Sequence, residues 1–333
     1  MGYVSKPAFI ITIDTEGDNL WARRREVKTE NAKFLPRFQE FCESFGLKVT
    51  YLTDYEMAVD PTYVKFAREA LGRGFAEVGM HLHAWHSPPF EAVLSAEDHH
   101  NHPFLIEFSD DQMAAKISAM TELLNTTFEV PITSHRAGRW AFDARYAAML
   151  AQHGYLADCS VTPFTSWSSH KGDPTRAGGT DYRFAPSEPY FMDPNDVLRP
   201  GRGPLLQIPM TVMPRRGATQ RLCPGPLLAN KWGQRVMDRV LPNQWLRPSS
   251  RRPGDMLEVT RRCLAEGRSY AMLMTHSSEL MPGGSPYFPT EEAVEKNYER
   301  LGELFAFVAE NFEAMTVTEF ARDFIAAQEA AAA

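Results

Sequence analysis

Short apolar runs rich in β-branched residues alternate with helix-patterned segments along most of the chain, and this alternation restricts the fold more than any other feature. Strands are expected over 9–13, 48–52, 75–81, 132–135, 156–159, 205–211, 270–275 and 314–317. Helices are expected over 31–45, 61–72, 110–126, 143–152 and 291–310. A repeat of this kind builds a parallel sheet covered by helices. About eight strands alternating with helices favour a closed or nearly closed barrel over an open sheet, and the 333 residues read as one α/β domain, 1–333. No Gly-x-Gly-x-x-Gly follows the first strand and no Walker-type loop occurs, so nucleotide-binding α/β folds lose their usual support.

Barrel enzymes place their chemistry at the carboxyl ends of the strands. Here the polar residues collect there: Asp14-Thr15-Glu16-Gly17-Asp18 after the first strand, His81, His83 and His86 after the third, and His135-Arg136-Ala137-Gly138-Arg139-Trp140 after the fourth. Asp158 ends the fifth, and His276-Ser277-Ser278-Glu279 follows the late strand. His81 and His83 alternate with Leu82, so in extended backbone both imidazoles leave one face about 7 Å apart and can converge on one ion. His86 reaches the same ion only if the chain turns after Trp85, which Ser87-Pro88-Pro89 favours. Asp14 and Glu16 likewise share a face, and the two can divide labour between a metal and a proton. One carboxylate beside two imidazoles suits Zn²⁺ or a similar divalent ion with open positions. His276 has the chemistry of a general acid, and Arg136 that of a bidentate partner that keeps a base carboxylate ionised. His99, His100 and His102 read as an exposed polar loop, and His153 and His170 carry no supporting pattern.

The net charge of −7 conceals an asymmetry. Residues 199–262 carry thirteen Arg and Lys against three Asp and Glu, a net +10 that leaves −17 on the rest. Nine of the 24 prolines and Trp232 and Trp245 also fall there, as expected for a basic, Pro- and Arg-rich insertion. Such a stretch either pairs with the acidic body or offers a peripheral surface to a phosphosugar or an anionic lipid face. Nucleic acid would be repelled by the remainder. No run approaches eighteen apolar residues, so no transmembrane helix is expected. The N-terminus lacks the features of a secretory leader, and Cys42, Cys159, Cys223 and Cys263 form no close pair, so a cytoplasmic chain with reduced thiols is the expectation.

In this order the motifs resemble those of the polysaccharide deacetylase superfamily, the carbohydrate esterase family 4 or NodB-like group. The matching blocks are Ile11-Thr12-Ile13-Asp14-Thr15-Glu16, Glu77-Val78-Gly79-Met80-His81, Arg136-Ala137-Gly138-Arg139-Trp140 and Leu273-Met274-Thr275-His276, with a family-like tail over 312–320. The resemblance implies a distorted parallel (β/α)7–8 barrel and one divalent ion, Zn²⁺. It implies hydrolysis of an N-acetyl or other N-acyl group on a sugar, polysaccharide or glycan precursor, with Asp14 as base, His276 as acid and Arg136 as the partner of the base. Glu16, His81 and His83 would be the ligands with His86 in reserve, because Trp85 stands where common members carry their second histidine. That His-x-His-x-Trp form resembles a subgroup found with bacterial surface-polysaccharide genes. Trp140, Asp158 and Tyr287 are the expected substrate-side residues, Asp158 also as an orienter of His276. Two other readings stay open: a different barrel amidohydrolase acting on a small amide, and a carbohydrate-binding protein that has kept the barrel and lost turnover.

Overall fold

The computed structural model describes residues 6–22, 27–95, 97–173, 175, 178–214, 243–249 and 255–332. Seven parallel strands form its centre: β1 (Ala8–Thr15), β2 (Val49–Thr53), β3 (Ala76–Leu82), β4 (Ser134–Ala137), β5 (Ala157–Asp158), β8 (Leu206–Gln207) and β11 (Tyr270–His276), in the spatial order β11-β1-β2-β3-β4-β5-β8. Every residue of β1 and β2 is buried, the signature of strands covered on both faces. The crossover helices include α1 (Leu35–Ser44), α3 (Pro61–Gly72), α5 (Asp110–Phe128), α6 (Ala144–Gln152) and α7 (Asp255–Ala265), with the single-turn helices α2 (Tyr55–Ala58) and α4 (Asp98–Asn101) in the connections. Their starts are set locally. Asp60 caps α3 through the Tyr63 N–H with Pro61 in the first turn, and Ser109 with Gln112 forms a capping box on α5.

The expected distorted parallel barrel is borne out as a curled, mostly parallel sheet that forms a half-barrel. After β8 the sheet continues antiparallel through β6 (Tyr190–Asp193) and β7 (Asp196–Pro200), so β7 and β11 form its two ends. A short antiparallel pair, β9 (Val212–Met213) with β10 (Gln244–Trp245), stands at the seam. It is bridged by single bonds, Leu246 N–H to Thr211 O at 3.1 Å and Met274 N–H to Leu246 O at 3.1 Å. Gln207 is followed by Ile208-Pro209 and β8 is only two residues long, so among the described residues no continuous ladder reaches β11. The basic stretch 199–262 contributes to β7, β8, β9, β10 and α7, while 215–242 and 250–254, with Trp232, lie outside the described residues.

The Glu77-x-Gly79 part of the histidine motif is architectural. Glu77 accepts from the Thr318 N–H and Oγ1 at 2.9 and 2.7 Å and from Ser134 Oγ, tying β3 and β4 to the start of the last helix (Val317–Ala332). A Cβ on Gly79 would lie 2.3 Å from Ser134 Oγ and 2.9 Å from Ser134 O, so only glycine lets β4 come this close. Cys42, Cys159 and Cys263 are buried free thiols. Among the described residues no helix is long and apolar enough to cross a membrane.

Candidate functional site

Strand register delivers the polar strand ends to one place. Asp14 lies opposite His276 across β1 and β11, and His81 lies opposite Arg136 across β3 and β4. Arg136 is wholly buried, and its Nη1 donates to Asp14 Oδ1 at 2.5 Å. Its other nitrogens are also engaged, Nη2 with Thr12 Oγ1 at 2.9 Å and Nε with the Cys159 carbonyl at 3.2 Å. The guanidinium is therefore fixed, and it fixes one carboxylate oxygen. The second, Asp14 Oδ2, lies 4.0 Å from both His81 Nε2 and His276 Nε2. Burial alone would raise the Asp14 pKa, but Arg136, His81 and His276 outweigh it and hold the group ionised.

Glu16, His81 and His83 form a buried donor set whose ligand atoms all lie within 4.8 Å of one another, a group that could bind a metal ion. Glu16 Oε2 is 3.5 Å from His81 Nε2 and 3.0 Å from His83 Nε2. The Glu16 backbone is clamped by Ser277 Oγ on both its N–H and its carbonyl, and by Asn31 Nδ2 at 2.9 Å. His81 Nδ1 is 2.9 Å from the Arg136 carbonyl, which can only accept, so Nδ1 carries the proton and Nε2 of the neutral ring keeps its lone pair toward Glu16. Burial, helped by the charge of His81, pushes His83 down to about 4, so this imidazole is a neutral donor. His81 moves the other way: burial lowers its pKa, yet Asp14 and Glu16 together raise it, because two buried carboxylates favour a cation between them. The donor chemistry, the second-sphere carbonyl and this preference for positive charge all fit a divalent ion.

Gly138 makes the room for His83. A Cβ there would lie 2.6 Å from His83 Nδ1 and 2.5 Å from the Leu82 carbonyl, so ring and backbone would both have to shift. Gly138→Ala is expected to weaken metal affinity about tenfold or more, the usual scale for disturbing a ligand's support. Competition with a colorimetric chelator measures it; an unchanged affinity would show that His83 is not placed by this contact.

The donor set and Asp14 line a cavity of about 460 Å³ together with Trp21, Trp85, Trp140, Trp167, His276 and Tyr287. Trp140 and Trp167 lie nearly parallel, 7° apart with ring centres 6.3 Å apart, and Arg136 sits 5.1 Å over the Trp140 ring. Trp21 packs edge-on against His276 at 4.8 Å. Volume and lining suit a sugar-sized ligand held by aromatic faces.

No protein-family model and no curated protein matches the chain. Solved structures do. A proposed polysaccharide deacetylase from Mycobacterium smegmatis matches at 15% identity and a TM-score of 0.55 over 98% of this chain and 94% of that one. A proposed glycoside hydrolase/deacetylase from Parabacteroides distasonis matches at 10% identity and a TM-score of 0.61 over 96% and 72%. This chain has the polysaccharide deacetylase fold. Within that fold the expected Asp14, Glu16, His81, His83, Arg136 and His276 come together, and Trp140 and Tyr287 line the cavity beside them.

Two expectations are corrected. His86 touches the cavity, but the turn after Trp85 carries its Nδ1 to Glu56 Oε1 at 2.8 Å and away from the donor set. Asp158 neither faces the cavity nor orients His276. It is fully buried, accepts from His135 Nδ1 at 2.7 Å, and takes the Ser160 N–H and Oγ at 2.8 and 2.7 Å, because in register it lies beside His135 and Met80, one residue before the His81–Arg136 pair. The group beside His276 is Glu279, with Oε2 3.6 Å from His276 Nδ1 and Oε1 3.5 Å from Arg247 Nη2. Glu279 Oε2 also accepts from Thr275 Oγ1 at 2.7 Å and the His276 N–H at 3.2 Å. Its signal in the sequence is the polar run His276-Ser277-Ser278-Glu279, which a 3₁₀ turn over Ser277–Leu280 folds back on itself. His99 and His170, read as loop or unpatterned, line the cavity as well.

Proposed function

We propose that this protein is a metal-dependent hydrolase that removes an N-acetyl or related N-acyl group from a sugar, polysaccharide or glycan precursor. The observation that carries the reading is the separation of two carboxylates at one cavity floor, Glu16 among two imidazoles and Asp14 on Arg136 with one oxygen turned toward His276. Glu16, His81 and His83 would hold the ion, for which Zn²⁺ suits the donor types best. When bound, the ion supplies a Lewis acid for the acyl carbonyl and a lowered pKa for water.

The remaining work belongs to side chains. Asp14 Oδ2, kept ionised by Arg136, takes a proton from the attacking water, since only Oδ1 is committed to the guanidinium. His276 Nε2, 4.0 Å from Oδ2, gives a proton to the departing amine. Burial lowers the His276 pKa, but Glu279, Glu16 and Asp14 together raise it, which favours the protonated ring that this role needs. Trp140 and Tyr287 offer faces to the sugar, and the tryptophans around them exclude water.

The test is acetate release from N-acetylated sugars by the zinc-loaded protein, with and without chelator. Acetate and a free amine that disappear on chelation support the reading. Sugar binding without acetate at any divalent ion would replace it with a carbohydrate-binding role.

Glu279→Gln probes the acid. Removing a carboxylate that raises the His276 pKa must lower that pKa, so the protonated fraction falls off at lower pH than before. The alkaline limb of the kcat profile is therefore expected to move to lower pH, with the acidic limb in place. A profile merely scaled down would leave Glu279 a structural role only.

A further inference from the structure

One polar pair at the cavity takes no part in the hydrolytic chemistry. His86 lines the cavity, and its Nδ1 is 2.8 Å from Glu56 Oε1, with both side chains mostly buried. Each partner is fixed through the backbone. The His86 N–H donates to the His83 carbonyl at 3.2 Å, closing a turn that holds the two Cα atoms within about 7 Å of each other. Glu56 lies in the first turn of α2, whose cap Asp54 accepts from the Met57 N–H at 2.9 Å and from the Gly17 N–H at 3.2 Å. The pair is therefore tied to the donor set from two sides, through His83 and through the residue after Glu16.

A second carboxylate–histidine pair shows what a structural one looks like in this fold. His135 is wholly buried and has both ring nitrogens engaged, Nδ1 with Asp158 and Nε2 with Tyr146 Oη, each at 2.7 Å. His86 has only Nδ1 engaged. Among the described residues nothing is bonded to its Nε2, which is not one of the buried nitrogens either and so stays open to solvent. Glu56 is not part of the cavity lining, so the ring edge that His86 presents there is the one opposite Nδ1, Cδ2–Nε2. Glu56 and Nδ1 share one hydrogen. With that hydrogen on the imidazole, Nε2 accepts; with it on the carboxyl, Nε2–H donates. A hydroxyl suits both cases because it donates and accepts, whereas an apolar group suits neither.

We infer that His86 is a specificity-determining residue whose Nε2 hydrogen-bonds a hydroxyl of the bound sugar, and that Glu56 is the positioning residue that turns the imidazole toward it. The inference rests on the sugar-deacylase reading for the ligand, and on the half-partnered imidazole for the hydroxyl. Because a single turn joins His86 to His83, the hydroxyl belongs to the same sugar that carries the acyl group.

Calorimetry on the zinc-loaded protein tests it with N-acetylglucosamine and its four monodeoxy analogues, with bound metal and acetate release measured alongside. His86→Phe keeps a flat ring without nitrogens, and Glu56→Gln/His86→Phe does the same without leaving the Glu56 carboxylate alone. Both are expected to keep one ion per chain and to bind N-acetylglucosamine about tenfold more weakly than wild type. One deoxy sugar is expected to lose the same factor on wild type, and to be bound within about twofold alike by wild type and both variants, as a direct contact requires. Glu56→Ala is expected to weaken binding as His86→Phe does, and Glu56→Gln, which still holds Nδ1, to restore it to within about threefold of wild type. The inference is overturned by variants that bind N-acetylglucosamine as wild type does, by losses that add for all four deoxy sugars, by loss of the ion from both His86 variants, or by a wild type that does not bind the sugar. A Glu56→Ala protein that binds like wild type removes Glu56 as the positioning residue. A coupled hydroxyl without acetate release would sustain the contact and remove the deacylase reading; acetate release without a coupled hydroxyl would do the opposite.

Discussion

Asp14→Asn is expected to lower turnover by about 10²–10⁴ while the protein keeps one metal ion per chain, the scale of losing a positioned general base. The geometry separates these two outcomes. Asp14 is not in the Glu16–His81–His83 donor set, and an Asn Oδ1 can still accept from Arg136 Nη1, so the site keeps its shape while losing its proton acceptor. His81→Ala should behave differently, losing both ion and turnover, because it removes the donor whose Nδ1–H is anchored on the Arg136 carbonyl. Metal analysis of the purified variants beside acetate-release rates provides the check. Full activity in Asp14→Asn would remove Asp14 as base, and a metal-loaded, active His81→Ala would remove the ion from this position.

Replacing Arg136 should have the largest effect on stability. Arg136→Met fills much of the same volume but leaves Asp14 buried without its counter-charge, a change that costs about 3–5 kcal/mol for pairs of this kind. Asp14→Asn strands the opposite charge and should also destabilise. The Asp14→Asn/Arg136→Met double variant removes both charges, and it should recover much of the loss because desolvation then no longer opposes folding. Denaturant unfolding of the four proteins gives the coupling directly. Additive losses would show that the 2.5 Å contact contributes little beyond packing. Turnover should fall in Arg136→Met too, since the missing guanidinium is the strongest of the charges that hold Asp14 ionised against burial.

Most of the parallel core is legible in the chain because both of its signals are local. Apolar runs bounded by turns mark β1, β2, β3 and β11, and helices such as α3 match their expected bounds through an N-cap and a proline at the first turn. The hairpin of β6 and β7 and the bridging pair of β9 and β10 have no such signal. These strands are two to five residues long, too short to show a period, and β9 and β10 also pair across the long stretch from Met213 to Gln244.

The site divides along the same line. Spacing of two residues puts His81 with His83 and Asp14 with Glu16 on shared faces, since the pleat alternates whatever the sheet around it. Spacing cannot say that Asp14 takes the guanidinium and Glu16 the imidazoles, nor that His86 turns to Glu56 and Asp158 to His135. Those choices depend on strand register and on where each strand ends, which are fixed by packing between segments far apart in the chain. Glu279 and Arg139 belong to the same class: a 3₁₀ turn and a left-handed bend aim their side chains, and neither direction is a property of the residues alone. Which chemical groups end the strands follows from residue order alone, because identity is local; which of them meet follows from the packed fold, because contact geometry is set between segments far apart in the chain.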